Sequence, residues 1–147
     1  MKMKVFAVIL IAVLFCTCAL EGVNVIGPAG GFVFYDKGNY SDGWRYLECS
    51  PINAGQVDNQ PYDFARIQKI CDDFVYNGYD DWRLPNDNEL YTMLKVFPRQ
   101  LEFTEHDFSH FYISSEGNAY EHDGDNWGNL FSPSSQKTLV ARPVRQF

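Results

Sequence analysis

Basic residues are scarce in this chain: 12 Lys and Arg stand against 19 Asp and Glu, a formal net charge of −7 over 147 residues. That balance repels nucleic acid, anionic headgroups and sulfated polysaccharides at long range and suits neutral ligands or cations better. Histidine is limited to three residues and cysteine to four, with no ligand spacing that marks a zinc site. His106 and His110 stand four apart, but His-Glu-x-x-His is missing, and these two and His122 read as surface or satisfied side chains. Internal repeats, low-complexity tracts and linkers are lacking too. The length accommodates one domain with a real core and is too short for two comfortable ones.

Long hydrophobic runs are confined to the start. Met1-Lys2-Met3-Lys4 followed by an apolar run from Val5 to Phe15 has the charged opening and short apolar middle of an export signal. It is too short to span a bilayer well. A lipoprotein signal would anchor the chain at Cys18, with Phe15 and Thr17 at the positions of a relaxed lipobox; Cys16 matches worse. Cleavage after Ala19 gives simple secretion instead, and an uncleaved anchor is the remaining alternative. Each places the folded part outside the cytoplasm, in the cell envelope or secreted, with membrane contact only through a lipid anchor. The division expected is a signal over 1–18 and a single domain over 22–147. Two cysteines then remain, Cys49 and Cys71, as a disulfide suited to an exported domain or as two buried free thiols.

Apolar residues at Phe64, Ile67, Ile70, Cys71, Phe74 and Val75 predict a helix from Pro61 to Tyr76, stopped by Asn77-Gly78. Asn86 with Glu89 three residues on makes a capping box for a second helix, Asp87 to Phe97, closed by Pro98. Between them Trp82 and Leu84 alternate with Asp81 and Arg83 and point inward. Strand character appears at 32–35, 44–48, 111–116, 119–121, 129–131 and 139–147, with Asp36 to Gly43 a polar turn and 50–60 a loop. Pro143 argues for an edge position or a bulge in the closing strand. Leu101, Phe103 and Phe108 read as anchors of an irregular connection. Strands at both ends with helices between make the fold class α+β. The glycine-rich turn Gly27-Pro28-Ala29-Gly30-Gly31 lacks the GxxxxGK[ST] pattern and a following helix, so it is not a phosphate loop.

Several motifs occur together and in order: Gly-Pro-Ala-Gly-Gly-Phe-Val-Phe-Tyr-Asp at 27–36, Gly-Tyr-Asp-Asp-Trp-Arg-Leu-Pro at 78–85 with Glu89-Leu90, Tyr112-Ile113-Ser114-Ser115, and Val-Ala-Arg-Pro-Val-Arg at 140–145. In these the chain resembles the DUF1566 family, also called the Lcl C-terminal domain, over nearly all of the part after the signal. The resemblance implies a C-type lectin-like fold, in which first and last strands pair and two helices flank a loop-rich antiparallel sheet. It also implies export, often as a lipoprotein. Sulfated glycosaminoglycan binding, associated with the adhesin that gives the family its second name, does not carry over to so acidic a chain. The shared residues look structural, with Arg83, Arg142 and Arg145 as partners for inward carboxylates.

The segment Glu121-His122-Asp123-Gly124-Asp125-Asn126-Trp127-Gly128-Asn129 offers hard oxygens, a glycine turn and an aromatic ring. Asp123, Asp125 and Asn126 could hold calcium, Trp127 could stack on a sugar, and Asn126, Asn129 and Glu116 could hydrogen-bond it. Ordinary turn chemistry with a core tryptophan explains the same letters. The Glu-Pro-Asn and Gln-Pro-Asp sugar signatures are missing, and Gln60-Pro61-Tyr62-Asp63 resembles the latter only superficially. Ser114 and Ser115 lack the Gly-x-Ser-x-Gly turn that exposes a nucleophile. The reading favoured is a non-catalytic binding domain for glycan or protein ligands, with no cofactor beyond the calcium just described. A structural lipoprotein acting through protein contacts comes second, and a hydrolase third.

Overall fold

The computed structural model describes residues 23–58, 63–96, 110–122, 127–131 and 138–147, with the backbone alone described over 56–58, 121–122 and 127–131 and at 110 and 138. The expectations for Cys16, Cys18, Ala19, Pro61, Phe97, Pro98, Leu101, Phe103, His106, Phe108, Asp123, Asp125 and Asn126 lie outside the described residues. The elements in chain order are β1 Phe32–Ser41, β2 Trp44–Cys49, β3 Gly55–Asp58, α1 Phe64–Asp72, α2 Asp87–Val96, β4 His110–Ile113, β5 Ala119–His122, β6 Trp127–Phe131, β7 Thr138–Ala141 and β8 Val144–Gln146. This is a mixed α+β fold. One sheet has the order β1-β2-β8 and a second has the order β3-β7-β4-β5-β6.

Side-chain alternation along β4 and β7 divides the core in two. Tyr112 and Val140 join Phe34, Leu47, Cys49 and Val144 of the smaller sheet and Leu90, Met93 and Leu94 of α2. Phe111, Ile113, Leu139 and Ala141 join Ile67 and Cys71 of α1 and Leu84. The larger sheet therefore packs α1 on one face and α2 with the smaller sheet on the other. Strands covered on both faces have no polar side to show, which is why Phe111-Tyr112-Ile113 and Leu139-Val140-Ala141 read as unbroken apolar runs.

The sheet pairing departs from expectation at several points. The first and last strands do not pair: β2 lies between β1 and β8. The larger sheet is not wholly antiparallel, since β4 runs parallel to β7. The closing run is two strands in two sheets, parted at Arg142-Pro143, where a residue without an N–H costs no ladder bond; Pro143 still accepts from Ser50 N–H at 2.9 Å. β1 continues through the expected polar turn to Ser41, which pairs with Trp44, with irregular register between Asp36 and Ser41. The turn itself is Asp42-Gly43, at φ 53° and 84°, the two-residue geometry that matches strand twist. β3 falls in what reads as a loop, because Gly55-Gln56-Val57-Asp58 has no apolar alternation and pairs only with β7 at the sheet's edge.

α1 is shorter than its apolar pattern, which runs on to Val75. α1 starts where the Asp63 carboxylate accepts from Arg66 N–H at 3.0 Å and buries Ile67 and Cys71. It ends at Asp72, so Asn77-Gly78 does not stop it. That pair, at φ 51° and 82°, instead makes a tight turn in which Tyr76 and Tyr79 exchange backbone hydrogen bonds, both at 3.0 Å. The extended backbone this needs at Tyr76 is incompatible with helix, and Val75 is left exposed. For α2 the capping box forms as expected: Asn86 Oδ1 accepts from Glu89 N–H at 2.8 Å, and Glu89 Oε2 accepts from Asn86 N–H at 2.9 Å. Trp82 and Leu84 are buried, and Arg83 between them pairs both backbone groups with Val144, at 2.9 and 2.8 Å.

Leu90 is fully buried in the first core cluster. Leu90→Ala leaves a cavity and lowers stability by about 2–5 kcal/mol, read as a shift in the urea unfolding midpoint with unchanged slope.

Candidate functional site

The acidic and aromatic segment singled out in the sequence spans the β5–β6 hairpin. His122 and Trp127 pair across it, so residues 123–126 form the connection, and β6, which carries Trp127 and Asn129, is the outermost strand of the larger sheet. Glu116 is not part of that end. It lies in the β4–β5 turn, separated from the connection by the length of β5, about 13 Å at 3.3 Å per residue. The described structure brings Glu116 instead to Asp87, the first residue of α2. There Asn118 Nδ2 donates to Asp87 Oδ2 at 2.7 Å, and Ser115 N–H donates to Pro85 O at 2.8 Å.

Ser114 is fully buried, and its hydroxyl accepts from Glu116 and Asn118 N–H, each at 3.3 Å. It closes a turn and is shut away from any substrate. The strand expected to run through Ser114 and Ser115 stops at Ile113 because this turn replaces ladder bonds with side-chain ones. Among the described residues, no group of three or more His, Cys, Asp or Glu could hold a metal ion. The calcium ligands expected, Asp123, Asp125 and Asn126, lie outside that set.

Cys49 and Cys71 are buried free thiols in separate core clusters, and no disulfide joins them. Each sits where its side chain packs as a small hydrophobe. Burial pushes both up to about 12, against modest opposition from Arg142 at Cys49 and from Arg83 at Cys71. A thiol in that state is a poor nucleophile at neutral pH.

The three arginines do find partners. Arg83 makes a bidentate pair with Glu89, both contacts at 2.7 Å, adding a cation to the carboxylate that caps α2. Arg142 donates to Ser50 O at 3.0 Å. Arg145 is the most engaged: Nη1 donates to Glu48 Oε1 at 2.6 Å, while Nε and Nη2 donate to Asp81 at 2.7 and 2.9 Å. Its guanidinium lies 4.2 Å from the Tyr79 ring centroid and 5.9 Å from those of Trp82 and Phe147. The Arg145 hydrogen bonds hold the Asp81 carboxyl below the usual range, against some burial.

Glu48 is fully buried, directly across the ladder from Arg145. Its carboxylate also accepts from Ala29 N–H at 3.3 Å and Gly31 N–H at 3.0 Å. The glycine-rich turn does cradle an anion, and the anion is the chain's own carboxylate. A Cβ at Gly27 would collide with that carboxylate, and one at Gly31 with Cys49 O and the same carboxylate, so close approach explains both glycines. Sequence reasoning found the arginines but missed Glu48. The available signal was a lone acid in the alternating strand Trp44–Glu48, eight elements before its partner.

Glu48→Ala removes the buried partner of Arg145, which keeps only the half-exposed Asp81, and leaves two N–H groups without their acceptor, so it costs about 3–5 kcal/mol in urea or thermal unfolding. Cys49 and Cys71 resist alkylation at pH 8 in the folded protein and react once urea unfolds it, as mass mapping of the labelled positions will read.

No protein-family model matches the chain, and no curated protein matches it.

Proposed function

We propose that this chain is an exported, non-catalytic binding domain of the cell envelope, C-type lectin-like and related to the DUF1566 or Lcl C-terminal domain family, anchored through Cys18. The segment around the β5–β6 hairpin, with Asp123, Asp125, Asn126, Trp127 and Asn129, contacts a glycan or protein ligand, and the three oxygen-bearing side chains suit a calcium ion that assists it. Glu116, on the far side of β5, contributes only to an extended ligand.

The observation that carries this reading is the division of labour among the polar residues. Three of the motifs behind the resemblance meet at Arg145, Glu48 and Asp81 and are consumed in holding the frame. The buried serine and the two inert thiols offer no nucleophile. The β5–β6 hairpin ends in β6, at the edge of a sheet whose strands β4, β5 and β7 supply core residues. A second reading, an interaction lipoprotein without a small-ligand site, draws on large apolar side chains left exposed, with Tyr40 at 71%, Val75 at 62% and Ile26 at 57%.

A glycan-array screen of the folded protein, with calcium and again with chelator, tests the first reading. Binding is expected with calcium and is expected to fall at least tenfold in Asp123→Ala, Asp125→Ala and Trp127→Ala. Binding untouched by chelator keeps the glycan and removes the metal. Unchanged binding in all three folded variants contradicts the site, and silence in both conditions moves the assignment to protein partners, which crosslinking in cells would then recover.

A further inference from the structure

The junction between the β4–β5 turn and the start of α2 brings two acids together with no base to offset them among the described residues. Asp87 is the first helical residue, where the helix dipole favours a negative charge. Its Oδ2 is taken by Asn118, but its Oδ1 is buried and has no hydrogen-bond partner among the described residues. Ser114 and Glu116 stand beside this carboxyl without an oriented bond to Oδ1. The Glu116 side chain is exposed to solvent on its other side, and its carboxyl faces both the Asp87 carboxyl and the Asp87 backbone N–H. From β5, Tyr120 is the further titratable group among the described residues. No described basic side chain is among the groups that act on either acid.

A buried acceptor without a donor is costly. The acid next to it can supply a donor only when protonated.

We propose that Glu116 and Asp87 form a proton-operated tie between the β4–β5 turn and the N-terminus of α2, closed in mild acid and released toward neutral pH. In the closed state a proton from solvent sits on the Glu116 carboxyl and is donated to Asp87 Oδ1, while Asp87 keeps its charge and its bond from Asn118. In the released state both carboxylates are charged and repel, and Oδ1 has no donor. The turn remains held to α2 through Ser115 N–H and Pro85 O, so the proton governs the Glu116 side chain without detaching the turn.

The two acids are displaced in opposite directions. Asp87, first through its hydrogen bond with Glu116 and then through burial and its charge, raises Glu116 above its ordinary 4.5. Burial works to raise Asp87, but the polar groups of Ser114, Asn118 and Glu116 around it outweigh burial and hold Asp87 below its ordinary 3.8. Burial, with the charges of Asp87 and Glu116, raises Tyr120. A raised folded-state value means that the Glu116 contribution to stability is fully present below about 4.5 and is lost as pH climbs through the raised value. The Asp87 contribution has the reverse sign and is lost only at lower pH, as pH falls through its depressed value.

Carbon-13 NMR titration of the side-chain carboxyls in the full chain tests the tie. Glu116 is expected to titrate above 4.5, and in Asp87→Asn, which removes the neighbouring charge, its midpoint is expected to fall back toward that value. A Glu116 midpoint at or below 4.5, or one unmoved by Asp87→Asn, would overturn the proposal. Urea unfolding gives an independent reading, because Glu116→Gln carries a donor at every pH. The wild-type midpoint is expected to gain on that of Glu116→Gln as pH is lowered from neutral to about 4.5; two parallel curves would contradict the tie.

Discussion

The buried ion pair between Glu48 and Arg145 is the constraint on which the rest of this fold depends. Removing two charges from water costs several kcal/mol per ion, recovered only when every remaining polar valence is met. Here it is met. Glu48 receives the guanidinium on one oxygen together with Ala29 N–H, and Gly31 N–H on the other; Arg145 spends its other nitrogens on Asp81 and lies against the Tyr79 ring. Four segments far apart in the chain are thereby fixed to one another: the turn at 27–31, β2, the stretch 79–82 and β8. A local change at any of them leaves a charge or a donor unsatisfied in the others.

That network stands beside the point where the chain changes sheets. β7 belongs to the larger sheet and β8 to the smaller, with Arg142-Pro143 between them. The smaller sheet is extended on the far edge of β8 by Arg83, whose side chain reaches the capping glutamate of α2. Two ion pairs, one at each side of Val144, thus join sheet to helix and sheet to turn. The larger sheet, filled from both faces by two apolar clusters, carries the β5–β6 hairpin at its edge.

What could be read in the sequence was local. The capping box at Asn86 and Glu89, the inward Trp82 and Leu84, and the apolar stripe of α1 as far as Cys71 depend on neighbours within one turn or one strand, and they formed as the letters suggest. Asn77-Gly78 misled because its letters serve a helix end and a two-residue turn equally, and only the extended partners at Tyr76 and Tyr79 decide between them. β3 carries no pattern of its own and is made a strand by β7. Glu48 was illegible because its partners lie 17, 19 and 97 residues away. Glu116 was grouped with the acidic hairpin by proximity along the chain, although in space it belongs to Asp87, 29 positions earlier, and only the sheet order reveals this.

The central claim is that Glu48 and Arg145 act as one unit rather than as two separately useful residues. A double-mutant cycle built from Glu48→Ala, Arg145→Ala and the double variant, followed by urea unfolding, tests it directly. The account predicts strong non-additivity, with a coupling at or above the upper part of the range of about 0.5–3 kcal/mol seen for contacting residues, and a double variant little worse than either single one. Additive losses would contradict it.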